Sequence, residues 1–234
     1  MFLLALTNLN YMKLILNSFF LFLTFLCSSV FADEFYKKYN VKVSGIKIGE
    51  LDWEVGISEE SYFNKIQLES MGLLSRIYRF DGEYFSEGIV ENNTLKPTKY
   101  NHLWETNKAE KYMTLAFKNE KLYSLIQKPI EKERLRVDVF NIKKTKDPLT
   151  SFLQIIMGNK KSLVVDGRRT YIMDVKLDEE FNQTIIEISN YFNLWADHKR
   201  NKFEKIIFEK RIEEILPFKM LIFFDGRVFR LEEN

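Results

Sequence analysis

Short runs in which apolar and polar residues alternate follow one another along most of the chain after residue 32. In one such run, Tyr62, Ile66 and Leu68 fall on one face. Lys65 and Gln67 fall on the opposite face. Runs of this kind predict strands at 35–43, 46–57, 62–68, 74–80, 84–90, 99–106, 112–118, 121–127, 162–165, 170–177, 184–193, 202–209, 218–224 and 227–231. Many short strands at regular spacing are typical of an antiparallel sandwich or barrel.

One segment, 147–158, has the helical period instead of the strand period. Asp147 is suited to cap free backbone N–H groups, Pro148 fits the first helical position, and Gly158 suits the C-terminal cap. A broad apolar stripe is formed by Leu149, Phe152, Leu153, Ile156 and Met157. A stripe of this width predicts a helix that plugs the open side of a curved sheet, because a helix on the surface would keep a wide polar face.

Four residue pairs between strand-like runs have the chemistry of tight turns. They are Asp81-Gly82, Asp166-Gly167, Asp225-Gly226 and, less typically, Asn119-Glu120. Two-residue hairpins need positive φ, which Gly and Asn adopt at low steric cost. The three aspartates are therefore interpreted as turn residues, and a catalytic role is the alternative.

These patterns together indicate one β-rich domain over 33–234. The predicted fold class is mainly β: an antiparallel, strongly curved sheet or open barrel with one apolar helix, 147–158, packed in it. The stretch 209–216 fits either a second, weaker helix or a strand. No repeat of solenoid length divides the chain.

The first 32 residues have the pattern of a signal peptide. A short positive start at Lys13 is followed by the apolar run 14–26, and Val30 and Ala32 suit cleavage after Ala32. Met12 is a candidate for the true start, because the apolar stretch before it is weaker. A retained membrane anchor is the alternative, although the continuous apolar run is shorter than the roughly 20 residues that a span needs. We therefore expect a periplasmic or secreted protein with no stable membrane span after cleavage.

Composition narrows the possible chemistry. The chain has 35 basic and 33 acidic residues and a net charge of +2, so nothing in its charge favours a nucleic-acid partner. One Cys and two His are too few for a Cys/His zinc site. The single Cys27 lies in the predicted signal peptide, and Leu26 before it disfavours a lipoprotein. We therefore expect no disulfide, metal or cofactor, and a fold held by packing.

Several blocks in this order resemble a known family. They are Tyr39-x-Val-x-Val-x-Gly45-Ile46-x-Ile-Gly49, Leu95-Lys96-Pro97-x-x-Tyr100, Asp147-Pro148-Leu149 and Val165-Asp166-Gly167-Arg168-Arg169-x-Tyr171. The chain resembles, over about 35–233, a bacterial family of exported proteins that is known only as a domain of unknown function. The resemblance implies a mostly β fold in a Gram-negative envelope, and because the family has no assigned activity, no catalytic residues are carried over from it. More distantly, the pattern is similar to periplasmic lipoprotein carriers, whose curved sheet holds a helical plug.

Known catalytic patterns are missing from the sequence. There is no Gly-x-Ser-x-Gly elbow, phosphate loop or EF-hand spacing. The adjacent guanidinium groups of Arg168 and Arg169 suit a carboxylate or a phosphate, including a lipid headgroup. An ordinary ion pair with the turn residue Asp166 is the alternative for one of them.

The leading hypothesis is therefore a non-enzymatic exported protein that binds a hydrophobic or amphipathic ligand, such as a lipid, in the concave face of the barrel. Its candidate site residues are Leu149, Phe152, Leu153 and Ile156 as the wall, with Arg168 and Arg169 near the rim. The second hypothesis is an assembly factor that pairs a sheet edge with another envelope protein. The third is a hydrolase that uses two carboxylates.

Overall fold

One sheet of fourteen strands forms the body of the protein in the computed structural model, which describes residues 33–72, 75, 79–178, 180–195 and 203–234. The strands are β1 (Asp33–Val43), β2 (Ile46–Ile57), β3 (Ser61–Ser70), β4 (Phe80–Glu91), β5 (Thr94–Thr106), β6 (Glu110–Lys118), β7 (Lys121–Lys128), β8 (Thr145–Lys146), β9 (Lys161–Val165), β10 (Arg169–Asp178), β11 (Gln183–Asn193), β12 (Phe203–Glu209), β13 (Lys219–Phe224) and β14 (Arg227–Glu233). The signal peptide predicted for 1–32 lies outside the described residues.

The sheet curves into a nearly closed barrel whose two end strands come from the middle of the chain. The strand order is β7-β6-β5-β4-β3-β2-β1-β14-β13-β12-β11-β10-β9-β8. β1 pairs with β14, with Val41 opposite Leu231, and only β8 and β9 pair in parallel among the named strands. β7 and β8 meet without a ladder, although the Thr145 N–H donates to the Glu120 carbonyl at 3.1 Å. We call this junction the seam.

The predicted fold class, a strongly curved sheet or open barrel with one apolar helix, is confirmed. Each predicted strand overlaps an observed one, although 74–80 shares only Phe80 with β4 among the described residues. The segment 74–80 lies mostly outside the described residues, but Ser75 is helical and β4 begins at Phe80. β8 was not predicted, because a strand of two residues is too short to show an alternating pattern.

The turn predictions hold at three of the four pairs. Asp225-Gly226 and Asn119-Glu120 both have two residues at positive φ between paired strands, and Gly167 has φ of +82°. The turn predicted at Asp81-Gly82 is wrong, because both residues lie inside β4 and pair with β3 and β5. A side chain at Gly82 would crowd the ring of Tyr84, so the glycine provides space in the sheet and not a reversal.

The stretch 209–216 is neither a helix nor a strand beyond Glu209, where β12 ends. It is an irregular connection with a turn, in which the Glu214 N–H donates to the Arg211 carbonyl at 3.2 Å. Its apolar residues point in different directions: Ile212 is 99% exposed and Leu216 is 1% exposed. Neither predicted element forms, because Leu216 and Ile215 pack at the core whereas Ile212 lies in solvent.

The helix α1 (Pro148–Ile156) lies inside the barrel as predicted. Asp147 is its N-cap, Pro148 is its first residue, and Gly158 follows its end at φ of +112°. Every residue from 149 to 156 is buried, including Ser151 and Gln154. A helix on a surface would expose one face, so complete burial shows that the barrel wall surrounds α1.

Two apolar clusters lie inside the barrel. The helix cluster packs Phe152, Leu153 and Ile156 of α1 against both halves of the sheet, from Tyr39 and Trp53 to Met173, Phe208 and Leu231. The seam cluster lies beneath the seam and contains Tyr100, Met113, Leu115, Phe117, Leu122, Val139, Leu149, Val165 and Leu194. Val139 belongs to a 3-10 turn (Val139–Asn141) in the connection from β7 to β8. Apolar packing therefore continues across the seam where the ladder does not.

Candidate functional site

Polar side chains at the start of α1 form a fully bonded group, which we call the docking network. The carboxylate of Asp147 accepts hydrogen bonds from the Thr150 N–H (2.9 Å), the Thr150 hydroxyl (2.5 Å) and the Ser86 hydroxyl (2.9 Å). The Tyr62 and Thr150 hydroxyls are also bonded, at 2.6 Å. Burial raises the pKa of Asp147, whereas its hydrogen bonds lower it. The network therefore attaches the N-terminus of α1 to β3 and β4.

Asn64 extends the docking network toward β2. Its side-chain amide donates to the Leu149 carbonyl at 3.1 Å, and its oxygen accepts from the Trp53 indole at 2.7 Å. At the other end of α1, Gln154 accepts from the Leu95 N–H at 2.6 Å. Since these buried groups all have partners, the network explains how α1 is held in one position.

A second group of polar side chains lies inside the barrel between the two apolar clusters. We define the tyrosine cluster as Tyr84 on β4, Tyr100 and His102 on β5, and Tyr171 on β10. Tyr100 and Tyr171 are only 2% and 3% exposed, whereas Tyr84 and His102 are half-buried. The imidazole stacks on the Tyr84 ring, with 4.3 Å between centroids and 23° between planes. The cluster therefore extends from the interior toward the surface.

Three hydrogen-bonding atoms of the tyrosine cluster lack a partner in the part of the chain that the structure describes. Among the described residues, none bonds to the hydroxyl of Tyr100 or of Tyr171. The Nε2 atom of His102 is buried and also without a partner in the described part of the chain. Native proteins satisfy nearly all of their buried polar atoms, with protein, water or ligand. These three atoms are thus available to a bound molecule.

The pKa values of the tyrosine cluster determine which of its groups carry a charge. Burial raises the pKa of Tyr100, and the nearby Tyr84, Asp166 and Tyr171 raise it further. Burial lowers the pKa of His102 to about 4, and the charge of Arg168 contributes to this shift. At neutral pH the cluster therefore presents neutral phenols and a neutral imidazole, which can donate or accept hydrogen bonds but carry no charge.

The turn between β9 and β10 supplies charge next to these neutral groups. The side chain of Asp166 accepts the N–H groups of Arg168 at 2.8 Å and Arg169 at 2.6 Å. Asp166 therefore stabilises the turn through backbone atoms, as an Asx-turn does. The guanidinium of Arg169 lies 5.3 Å from the ring centroid of Tyr191. The interpretation of Asp166 as a turn residue is correct.

Gly167 brings this turn against the opposite side of the seam. An added Cβ at Gly167 would meet the sulfur of Met113 on β6 at 1.9 Å, so a side chain here would force Met113 to move, and the positive φ also favours glycine. The Gly167 carbonyl also accepts from the Trp195 indole at 3.1 Å. The β9–β10 turn therefore closes one end of the seam and places both arginines beside the tyrosine cluster.

The predicted site residues occupy two different places. Arg168 and Arg169 lie close enough to shift the pKa values of His102 and Tyr171. Of the four predicted wall residues, Leu149 belongs to the seam cluster together with Tyr100. Phe152, Leu153 and Ile156 belong to the helix cluster, where the Phe152 ring stacks on Trp53 at 5.5 Å. Their role as a ligand-binding wall stays a prediction.

Sequence reasoning missed Tyr84, Tyr100, His102 and Tyr171 as a group. Tyr100 and His102 are two residues apart on a predicted strand, so the sequence does place them on one face. The register is needed to see that Tyr84 lies opposite His102. The sheet order is needed to see that Tyr171, from the other half of the chain, faces the same interior.

Two further properties concern only the described residues. Their His, Cys, Asp and Glu side chains form no group of three or more that is arranged to hold a metal ion. Within the same residues, no helix combines the length and the apolar character needed to cross a bilayer.

Comparison with known proteins gives a family without an assigned activity. The family model described as "Protein of unknown function (DUF3108)" matches residues 38–180. Among solved structures, the chain is similar to a beta-barrel-like protein of domain of unknown function DUF1849 from Brucella abortus, at 12% identity and a TM-score of 0.47. That similarity covers 88% of this chain and 96% of the other. No curated protein matches the chain.

Proposed function

From the premise that the chain belongs to the DUF3108 family of proteins of unknown function, we propose that it binds an amphipathic ligand inside the barrel. In this proposal the protein is exported to the bacterial envelope and is not an enzyme. The ligand is a lipid or another molecule with an apolar part and a polar head. The head lies at the tyrosine cluster, beside Arg168 and Arg169, and the apolar part lies against the seam cluster.

A single observation carries this proposal: the interior of the barrel contains hydrogen-bonding atoms that lack partners among the described residues. They include the Nε2 atom of His102, which is fully buried, and the hydroxyls of Tyr100 and Tyr171, which have no hydrogen bond among the described residues. A buried polar group without a partner costs roughly 1–3 kcal/mol, so a ligand that supplies the partners gains that energy on binding. The docking network is fully bonded and offers no such gain.

The chemistry of these atoms indicates the chemistry of the head. Phenolic hydroxyls donate hydrogen bonds readily, and guanidinium groups attract negative charge, so a carboxylate, phosphate or carbonyl fits best. The nearby carboxyl of Asp166 opposes an anion only weakly, because burial raises its pKa and two backbone N–H groups face it. Tyr100 and Leu149 share the seam cluster, so an apolar surface adjoins this position.

Export is supported by the pattern of 1–32, with its apolar run and a cleavage position after Ala32. We expect intact-mass analysis of the protein from the periplasm of a Gram-negative host to give an N-terminus at Asp33. Blocking signal peptidase should leave the longer form in the membrane fraction. A periplasmic or membrane product that retains residues 1–32 without such a block would contradict cleavage.

Ligand binding is tested by native purification of the exported protein, followed by solvent extraction and mass spectrometry. We expect a near-stoichiometric amphipathic compound with the wild type. The double variant Tyr100→Phe/Tyr171→Phe removes only the two hydroxyls and should lose most of the compound. Tyr123→Phe is the matched control, because Tyr123 is 70% exposed on β7. Absence of a co-purified compound, together with no binding of a fluorescent fatty acid, would refute the proposal.

A second candidate function rests on the free edge of β7. This eight-residue strand ends the sheet, and its backbone makes no ladder beyond β6 in the described structure. Tyr123 is 70% exposed and Ile126 is 54% exposed. A strand edge without a ladder partner is a template for an added strand, and exposed apolar side chains on the same strand would add contact area. The alternative is therefore an assembly factor that pairs β7 with an extended segment of another envelope protein.

Site-specific photo-crosslinking in cells separates the two functions. A crosslinker at Ile126 should give one protein adduct if β7 adds a strand. The same crosslinker at Phe192 is the control, because Phe192 is 57% exposed on β11, which has neighbours on both sides. No adduct, or the same adducts at both positions, argues against the assembly function.

A further inference from the structure

A pocket of about 540 Å³ opens at the seam and is separate from the tyrosine cluster. It lies between the β4–β5 hairpin, the β6–β7 turn, β8 and the beginning of β9. Its charged lining residues are Lys96, Lys144, Lys146, Lys161, Glu91 and Glu120. The remaining lining residues include short polar side chains, such as Asn92, Thr94 and Ser162. We call it the lysine pocket.

Cations exceed anions in the lysine pocket, and its carboxylates leave several of them uncompensated. Lys96 pairs with Glu91, so these two charges largely cancel. Lys161 lies 3.5 Å from Asp174, but both side chains are well exposed, so that pair is weak. Lys144 is exposed and has φ of +58° at the entrance to β8. Glu120 is the remaining acid of the lining, and the cations left beside it are Lys144, Lys146 and Lys161.

Lys146 is the most informative of these residues. Its ammonium donates to the carbonyl of Leu95 and to the side-chain oxygen of Gln154, at 3.2 Å for the latter. Both acceptors are neutral, and no described carboxylate lies within ion-pair distance of this ammonium. An ammonium has three N–H donors, so one is left for the pocket. Burial lowers the pKa of Lys146 to about 8, and the charges of Glu120 and Asp147 offset this shift only in part.

We propose that the lysine pocket binds a phosphate group, held by Lys146 at the wall and by Lys144 and Lys161 at the mouth. A phosphate carries the charge to match these ammonium groups and enough oxygens to accept from the neighbouring hydroxyl and amide side chains. A partly desolvated ammonium attracts an anion more strongly than a solvated one, because the local dielectric constant is lower. The phosphate is either free or part of a lipid headgroup.

Calorimetric titration with inorganic phosphate tests the shared chemistry. The double variant Lys144→Gln/Lys161→Gln changes two exposed side chains, so we expect normal folding and phosphate binding weakened by about tenfold or more. Lys99→Gln is the matched control: Lys99 is exposed on β5, three residues from Lys96, and outside the pocket lining. It should change binding by less than about twofold. Equal weakening in the control would overturn the proposal, because it would show only a general charge effect.

A vesicle arm distinguishes the two sources of phosphate. Vesicles with phosphatidylglycerol are compared with vesicles of phosphatidylcholine alone, each with and without competing inorganic phosphate. Binding to anionic vesicles that free phosphate displaces, and that the double variant loses, indicates a headgroup. Phosphate binding without vesicle binding indicates a soluble phosphate. If neither phosphate nor vesicles bind, the proposal is overturned, and the ligand of the tyrosine cluster is still tested separately by the co-purification experiment.

Discussion

Two buried polar groups lie inside the same barrel, and they differ in whether their atoms have partners. In the docking network, the Tyr62 hydroxyl is bonded at 2.6 Å and the Asp147 carboxylate accepts three hydrogen bonds. In the tyrosine cluster, the hydroxyls of Tyr100 and Tyr171 have no partner among the described residues. Chemically similar side chains therefore have different roles in the two groups. Bonded groups hold the helix, whereas unbonded groups remain available for recognition.

Substitutions in the two groups should also differ in their effect on folding stability and on ligand binding. A change in the docking network removes hydrogen bonds that exist in the folded protein, so it should destabilise the barrel. A change in the tyrosine cluster removes a polar atom that has no protein partner, so it should leave stability unchanged or raise it. The predictions below test this contrast and the closure of the seam, from the largest expected effect to the smallest.

Asp147→Ala should have the largest effect, because it removes the helix N-cap and leaves the Ser86 and Thr150 hydroxyls without their acceptor. We expect a loss of about 3–4 kcal/mol in the free energy of unfolding, measured by urea denaturation. Asp147→Asn keeps a capping oxygen and should lose less than half as much. A loss below about 1 kcal/mol for the alanine variant would show that the network does not hold α1.

Gly167→Ala should disturb the turn that closes one end of the seam. The new Cβ would collide with the Met113 sulfur, and φ at this position is +82°. We expect a loss of about 2–3 kcal/mol in unfolding free energy. Gly226→Ala is the control: it shares a positive φ of 71° but has no atom within 4 Å of the new Cβ. Equal losses in both variants would assign the effect to backbone strain alone.

His102 should make stability depend on pH. Its folded pKa is lowered to about 4 from 6.5, so the unfolded chain binds more protons between these values. Stability contributed by the neutral imidazole is therefore present above pH 6.5 and falls as the pH drops toward 4. We expect a loss of about 2 kcal/mol over this window, allowing for the partial exposure of the side chain. Unfolding curves at several pH values measure it.

The variant His102→Phe keeps an aromatic ring on Tyr84 but cannot be protonated. It should be at least as stable as the wild type at pH 7 and should reduce the pH dependence between 6.5 and 4. If the full pH dependence persists in His102→Phe, other groups cause it. Binding of the proposed ligand should weaken in this variant, because a hydrogen-bonding atom is lost from the tyrosine cluster.

The two smallest expected effects on unfolding free energy compare a bonded tyrosine hydroxyl with an unbonded one. Tyr62→Phe removes a bonded hydroxyl and should lower the unfolding free energy by about 1 kcal/mol. Tyr100→Phe removes an unbonded one and should change it by about zero or raise it slightly. Both substitutions delete one oxygen at a buried position, so their difference isolates the hydrogen bond. If Tyr62→Phe and Tyr100→Phe lost the same stability, measured by thermal and urea unfolding, the distinction between the two regions would be contradicted.

Local chemistry made much of the architecture predictable. Alternating residues predicted the strands, and Asp147, Pro148 and Gly158 predicted α1, because caps and periodicity act within a few residues. Asp225-Gly226 predicted a reversal for the same reason. Asp81-Gly82 did not behave this way, because β4 pairs on both sides there and a ladder outweighs local turn preference. The candidate wall residues were placed in the interior, but their packing partners were not predictable.

The sequence by itself determined the mainly β fold, the position of the apolar helix and the turn that carries Arg168 and Arg169. Tertiary structure alone decided where the sheet is interrupted, since pairing of β1 with β14 leaves β7 and β8 as the ends. It also decided which polar atoms find partners. Tyr62 and Tyr100 look alike in the sequence, but the Tyr62 hydroxyl is bonded to Thr150, whereas that of Tyr100 has no hydrogen bond among the described residues. The physical reason is that hydrogen bonds depend on distances between residues far apart in the chain, whereas caps, turns and periodicity depend on neighbours.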